Sequence, residues 1–180
     1  MATAAAALVC ALGGGVAIVD PFHLTYSGEL TAMGVAGFFL FLAVTFVLAP
    51  WPMAARIGAA VGAGVLGLAL VVPMAWLMAV FTDRMSVVRS TKADDGHELV
   101  VLWRYYSIDR IPEIRLRKGT GPFRQESVVY SGPEEGALPT TVRFSGESRV
   151  TFTVGDCTFA SWYDPWTLKV DHVHGYRPGC

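Results

Sequence analysis

The chain has 180 residues, a formal net charge of −1, 53% apolar residues and 16% charged ones, where an ordinary soluble domain carries about a quarter charged. That length allows one or two domains, and the near-neutral balance excludes the basic footprint of a nucleic-acid-binding protein. The charge is unevenly placed: residues 1–82 contain only Asp20, Glu29 and Arg56, while residues 83–180 contain 13 Lys/Arg and 13 Asp/Glu. One half is written for an apolar solvent and the other for water, with the boundary at Thr82-Asp83-Arg84.

In chain order, the first element is an Ala/Gly-rich apolar run, Ala2–Val19. Nothing basic precedes it, so it reads as a membrane span, not a cleaved leader. Val9 stands where a lipoprotein site at Cys10 would need a small residue. The loop Asp20–Glu29 follows, and then "LTAMGVAGFFLFLAVTFVLA", an uncharged span over 30–49. Pro50-Trp51-Pro52 ends it with an indole suited to the membrane interface. The third run, "IGAAVGAGVLGLALVVPMAWLMAVF" over 57–81, is 25 residues without a charge. As a helix it is about 37 Å long, enough to cross a hydrocarbon core of roughly 30 Å with some tilt.

Within the third run, Gly58/Gly62, Ala60/Gly64 and Ala63/Gly67 are small residues four apart, the spacing that lets helix backbones approach closely. They are expected to pack inside the bundle, or against another membrane protein or a second copy. Pro73 removes a helical hydrogen bond. No Asp, Glu, Lys, Arg or His falls inside any run, which argues against a transporter or pump.

Residues 82–96 read as a linker and 97–180 as a β-rich soluble domain. "HELVVLWRYY" has the composition of a buried strand. "IPEIRLRK" alternates, with Ile114 and Leu116 on one face and Glu113, Arg115 and Arg117 on the other; Pro112 confines it to a strand start or an edge. "PFRQESVVY", "TVRF", "RVTFTV" and "CTFASWY" continue the series, with Gly155-Asp156 as a two-residue hairpin. Asp164-Pro165 turns into a seventh strand, "WTLKV". The expected fold is therefore three transmembrane helices plus a small all-β domain, an antiparallel sandwich or meander. The stretches "STKADDGHELVVLW", "IRLRKGTGPFRQESV", "VRFSGESRVTF" and "YDPWTL" resemble the tails of small uncharacterised actinobacterial membrane proteins. The resemblance implies this architecture and no functional residues.

Candidate sites are few. His172 and His174 share a face if the chain stays extended, and could grip one metal ion; the competing reading is a polar run-off beyond the last strand. Cys157 and Cys180 could form a disulfide in an oxidising compartment. Arg115, Arg117, Lys118 and Arg124 cluster around Gly119-Thr120-Gly121 without any phosphate-loop spacing. They are either a solvated strand face or a contact for lipid head groups or an acidic partner. His97, after the turn Asp95-Gly96, reads as exposed. Ser145, Ser161 and Cys157 lack a nucleophile elbow or a positioned base, so neither a catalytic residue nor a cofactor is expected.

Arg56 alone in the second loop places the tail outside; Arg84, Arg89 and Lys92 after the third run pull the other way. The cysteines favour outside. The sequence thus points to a multi-pass cell-membrane protein with an extracytoplasmic β domain, serving as a binding or accessory module at the cell envelope. Its partners would be the bilayer and possible membrane-protein neighbours, with no nucleic acid. A metal or enzyme site at His172/His174, or a structural subunit of a membrane complex, are the rival expectations.

Overall fold

The computed structural model describes residues 2–81, 84–106 and 108–177. It divides into two compact units, residues 1–21 with 26–82 and residues 22–25 with 83–180. The first is helical: α1 (Ala2–Val19), α2 (Ser27–Leu48) and α3 (Met53–Phe81). All three are long and apolar enough to cross a membrane. Two begin earlier than the uncharged runs. Glu29 sits in the first turn of α2, where a negative charge is favoured. Arg56 lies within α3 and reaches back to donate to the Val47 carbonyl at 3.2 Å.

The bundle inverts the rule of a water-soluble core. It buries Ala7, Gly14, Ala17 and Ala63, and leaves Leu8, Leu12, Leu40, Val61, Leu68 and Trp76 on the outside. In water that arrangement exposes what should be hidden; in lipid large apolar side chains are at home and small ones let backbones meet. This is a membrane protein. A Cβ on Gly34 would lie 2.7 Å from the Gly14 Cα, one on Gly37 2.8 Å from the Cys10 sulfur, and one on Gly67 2.8 Å from the Phe39 Cβ. The closest approach of α1 to α2 therefore depends on Gly14 and Gly34. Thr45 adds a hydrogen bond to Thr3 at 2.9 Å.

Among the described residues, the second unit has eight strands in two sheets. β1 (Arg84–Lys92), β2 (His97–Tyr106), β3 (Asp109–Lys118), β4 (Gln125–Ser131) and β8 (His174–Gly175) form one, in that order. β5 (Thr141–Phe144), β6 (Arg149–Val154) and β7 (Cys157–Trp162) form the other. Leu99, Val101, Ile114, Leu116 and Tyr130 from the first meet Val142, Val150, Phe152 and Phe159 from the second in a single core. Neighbouring strands are antiparallel except β4 and β8, which are parallel.

Three expectations are corrected. The 82–96 stretch is no mere linker, since β1 occupies most of it and pairs along β2. It is a solvent-exposed edge strand, broken by an irregularity between Val87 and Arg89, so it carries no apolar alternation to announce it. "WTLKV" is not a strand. Asp164 accepts the backbone N–H groups of Trp166 and Thr167, both at 2.8 Å, and Leu168 turns into the core at φ +56°; only Val170 bridges back, to Tyr163. Pro112 stands mid-way along β3, an interior strand. Its carbonyl accepts from Gly132 N at 2.9 Å, just past the end of β4. In an extended chain the N and C=O of one residue point the same way, so the missing N–H falls where the neighbouring strand has already ended.

Candidate functional site

The alternation of "IPEIRLRK" sends Ile114 and Leu116 into the core and Glu113, Arg115 and Arg117 to the opposite face of β3. The register extends that face across four strands: Lys92 is opposite Glu98, Glu98 opposite Arg117, and Arg117 opposite Glu126. Charges of alternating sign thus stand in one row, the cross-strand arrangement that attracts.

Behind this row the charges close into a lattice. Glu113, 1% exposed, accepts from Arg104 Nη1 at 3.2 Å and from Arg115 Nε at 2.8 Å. Glu126, 6% exposed, accepts from Arg115 on one oxygen and Arg117 on the other, with Arg124 Nη2 at 3.9 Å. Burial pushes the Glu126 carboxyl up, but the hydrogen bonds from Arg115 and Arg117 outweigh it and hold the group below its ordinary value. Burial opposes the charge on Arg115 as well, and its bonds to Glu126 and Glu113 raise it above the usual guanidinium value. A carboxylate held ionised in this way has no proton to give near neutrality. The lattice orders the sheet.

The four basic residues picked from the sequence therefore divide. Arg115 and Arg117 spend their guanidinium groups on Glu113 and Glu126. Lys118 donates to the Pro165 carbonyl at 2.7 Å and stands 5.9 Å over the Trp166 ring. Arg124 lies beside Thr25 Oγ1 at 3.4 Å. Arg104 and Glu126 were missed: each joins the cluster through strand pairing, which spacing along the chain does not reveal. A cleft of about 490 Å³ opens beside the charge row, and its lining residues include Lys92, Asp95, Glu98, Arg117 and Lys118.

His97 is buried at 2% exposure, against the expectation that it lies in solvent. Its Nδ1 is 2.6 Å from Asp95 Oδ2 and its ring packs on Tyr163 at 5.3 Å. Tyr163 is also buried and donates to the Glu147 carbonyl at 3.3 Å, while its neighbour Trp162 faces outward under Arg149. The two aromatics therefore form no joint surface.

His174 belongs to β8, not to a run-off. It is buried against Phe152 and Phe159. Its Nε2 lies 3.1 Å from the Ala160 carbonyl, which requires the N–H on that nitrogen; Nδ1 then has no hydrogen-bond partner. The His172 ring stands edge-on to it, centroids 4.6 Å apart. Among the described residues no group of three His, Cys, Asp or Glu is placed to hold a metal ion. Cys157 is disulfide-bonded and Cys10 is a free thiol; Cys180 lies outside the described residues. In the helical unit, Gly67 lies at a close contact with Phe39, whereas a Cβ on Gly58, Gly62 or Gly64 would meet nothing within 4 Å. The chain matches no protein-family model, no curated protein and no solved structure.

Proposed function

We propose that this protein is a membrane-anchored binding or accessory module, with its β domain on the extracytoplasmic side of the cell envelope. The observation that carries the reading is how the β domain uses its polar groups. The most buried carboxylates, Glu113 and Glu126, are consumed by arginines, and so work for the fold. Outward-facing Trp162, Trp166, Phe123 and Tyr176 supply contact surface. A disulfide at Cys157 supports an oxidising compartment.

Sidedness is tested by replacing Asp156, exposed on the β6–β7 turn, with cysteine in a Cys10→Ala background. A membrane-impermeant maleimide applied to intact cells should label Asp156→Cys. Labelling only after permeabilisation would place the β domain in the cytoplasm and overturn the outside assignment. A metal site at His172/His174 is the second reading, favoured by the buried, unbonded Nδ1 of His174. Stoichiometric Zn or Cu in purified protein, lost on His172→Ala, would promote it over the first.

A further inference from the structure

The cleft beside the charge row lies where two turns meet at one end of the first sheet. The chain passes from β1 to β2 through Asp95-Gly96 and leaves β3 through Gly119-Thr120. Gly96 and Gly119 stand at φ +85° and +78°, a region that glycine enters without steric cost. The lining comes from residues 92–98 and 117–120, all within the β unit, so the cleft is a property of that unit alone. Its volume of about 490 Å³ falls in the range of small-molecule sites, roughly 300–1,000 Å³.

Most of the charges around it are already committed. Asp95 holds the buried His97 twice, through its backbone N–H at 3.1 Å and its ring Nδ1 at 2.6 Å. Arg117 is bound to Glu126, and Lys118 donates to the Pro165 carbonyl at 2.7 Å. Two charges remain. Lys92 on β1 and Glu98 on β2 are direct cross-strand partners, and among the described residues neither side chain makes a hydrogen bond or an ion pair. Glu98 is half-buried, and a carboxylate that loses water without gaining a partner is unfavourable. Glu113 and Glu126, on the same face, are both satisfied by arginine. Neighbouring strands are about 5 Å apart, so the cleft presents one uncommitted anion and one uncommitted cation at about that spacing.

We infer that this cleft binds a zwitterion of the size of one or two amino acids, with its ammonium donating to Glu98 and its carboxylate accepting from Lys92. A lone anion meets Lys92 beside two carboxylates, and a lone cation meets Glu98 beside three basic side chains. A ligand carrying both charges satisfies both groups, and hydrogen bonds between ions are stronger than neutral ones. It displaces little, because an exposed lysine and glutamate gain almost nothing from each other in water. The inference deepens the binding-module reading and rests on it, naming the ligand class; it does not depend on which side of the membrane the β domain occupies.

The test is nuclear magnetic resonance of the isotope-labelled full chain in detergent micelles, titrated with L-alanyl-L-alanine. The amide signals of Gly96, Glu98, Gly119 and Thr120 should shift saturably. The doubly capped peptide, N-acetylated and amidated, should not move them, and acetate or methylammonium alone should move them less. Glu98→Gln and Lys92→Gln should each weaken binding about tenfold. The double reversal, Lys92→Glu with Glu98→Lys, should bind better than either reversal alone, since it restores the pair with opposite polarity. Equal shifts from the free and the capped peptide, or full-strength binding in both Gln variants, would overturn the inference, and the capped peptide needs no variant to fold. Saturable shifts confined to another part of the β domain would remove the cleft but keep the binding module. No shift anywhere in the β domain would count against both.

Discussion

Glu126→Gln is the sharpest perturbation of the sheet. The amide keeps the size and one acceptor oxygen but removes the charge that Arg115 and Arg117 share. Breaking one side of a buried ion pair costs about 3–5 kcal/mol. The low end applies here, because Arg115 retains Glu113 at 2.8 Å and both guanidinium groups keep a little solvent exposure. A loss of about 3 kcal/mol in a domain near 100 residues lowers the melting midpoint by roughly 12–24 °C.

The pH dependence carries a sign. The folded-state pKa of Glu126 is depressed, so its contribution is complete above the unfolded carboxylate value of about 4.3. It is lost as pH falls through the lower folded value. Tryptophan-monitored melts of the parent and Glu126→Gln, in one detergent, should differ by the full amount at pH 7. They should converge progressively below about pH 4. A difference under about 3 °C at pH 7, or a gap that stays constant into acid, would refute the lattice as a stabilising unit. An apolar pair, Glu126→Leu with Arg117→Leu, should recover more stability than either single change, since removing both charges leaves neither stranded.

Other outcomes follow from close contacts and turns. Gly34→Val should strongly destabilise the detergent-solubilised bundle, because a Cβ there meets Gly14 backbone at 2.7 Å, whereas Gly62→Val, with open space around it, should melt within a few degrees of the parent. Gly132→Ala places a Cβ 2.6 Å from Pro112 Cγ and 2.9 Å from the Tyr130 hydroxyl, and should cost about 1–3 kcal/mol in a denaturant melt. Asp164→Ala removes the acceptor for the Trp166 and Thr167 amides, hydrogen bonds that also depress the Asp164 pKa; hydrogen exchange at those two amides should quicken while that of β6 stays unchanged.

The helices were legible because a bilayer demands an uninterrupted apolar run, and such runs need no partner to be recognised. Their ends were less so: a charge such as Glu29 or Arg56 halts a hydropathy reading although a helix terminus accommodates it. Six of the strands were visible in alternation or composition, since "RVTFTV" buries every second residue and "TVRF" turns Val142 and the half-buried Phe144 inward. β1 was not, because an edge strand buries neither face. Arg115 and Arg117 could be picked out as a cluster. Their neutralisation by Glu113 and Glu126 could not, because ion pairing across strands depends on register, and register is set by the two-sheet core. The glycine spacing in α3 marked Gly67 but not Gly14 and Gly34, whose contact joins two different helices.

The boundary between the two halves is also less simple than the charge distribution implies. The switch from apolar to charged composition near residue 83 locates where the second body begins in sequence, yet four residues from far upstream complete it. His23 and Thr25 satisfy backbone groups at Arg124 and Glu126, on the residue that anchors the arginine lattice. A buried amide or carbonyl left without a partner costs about 1–3 kcal/mol, so removing residues 22–25 strikes the β domain at the start of β4, where Glu126 joins the arginine lattice.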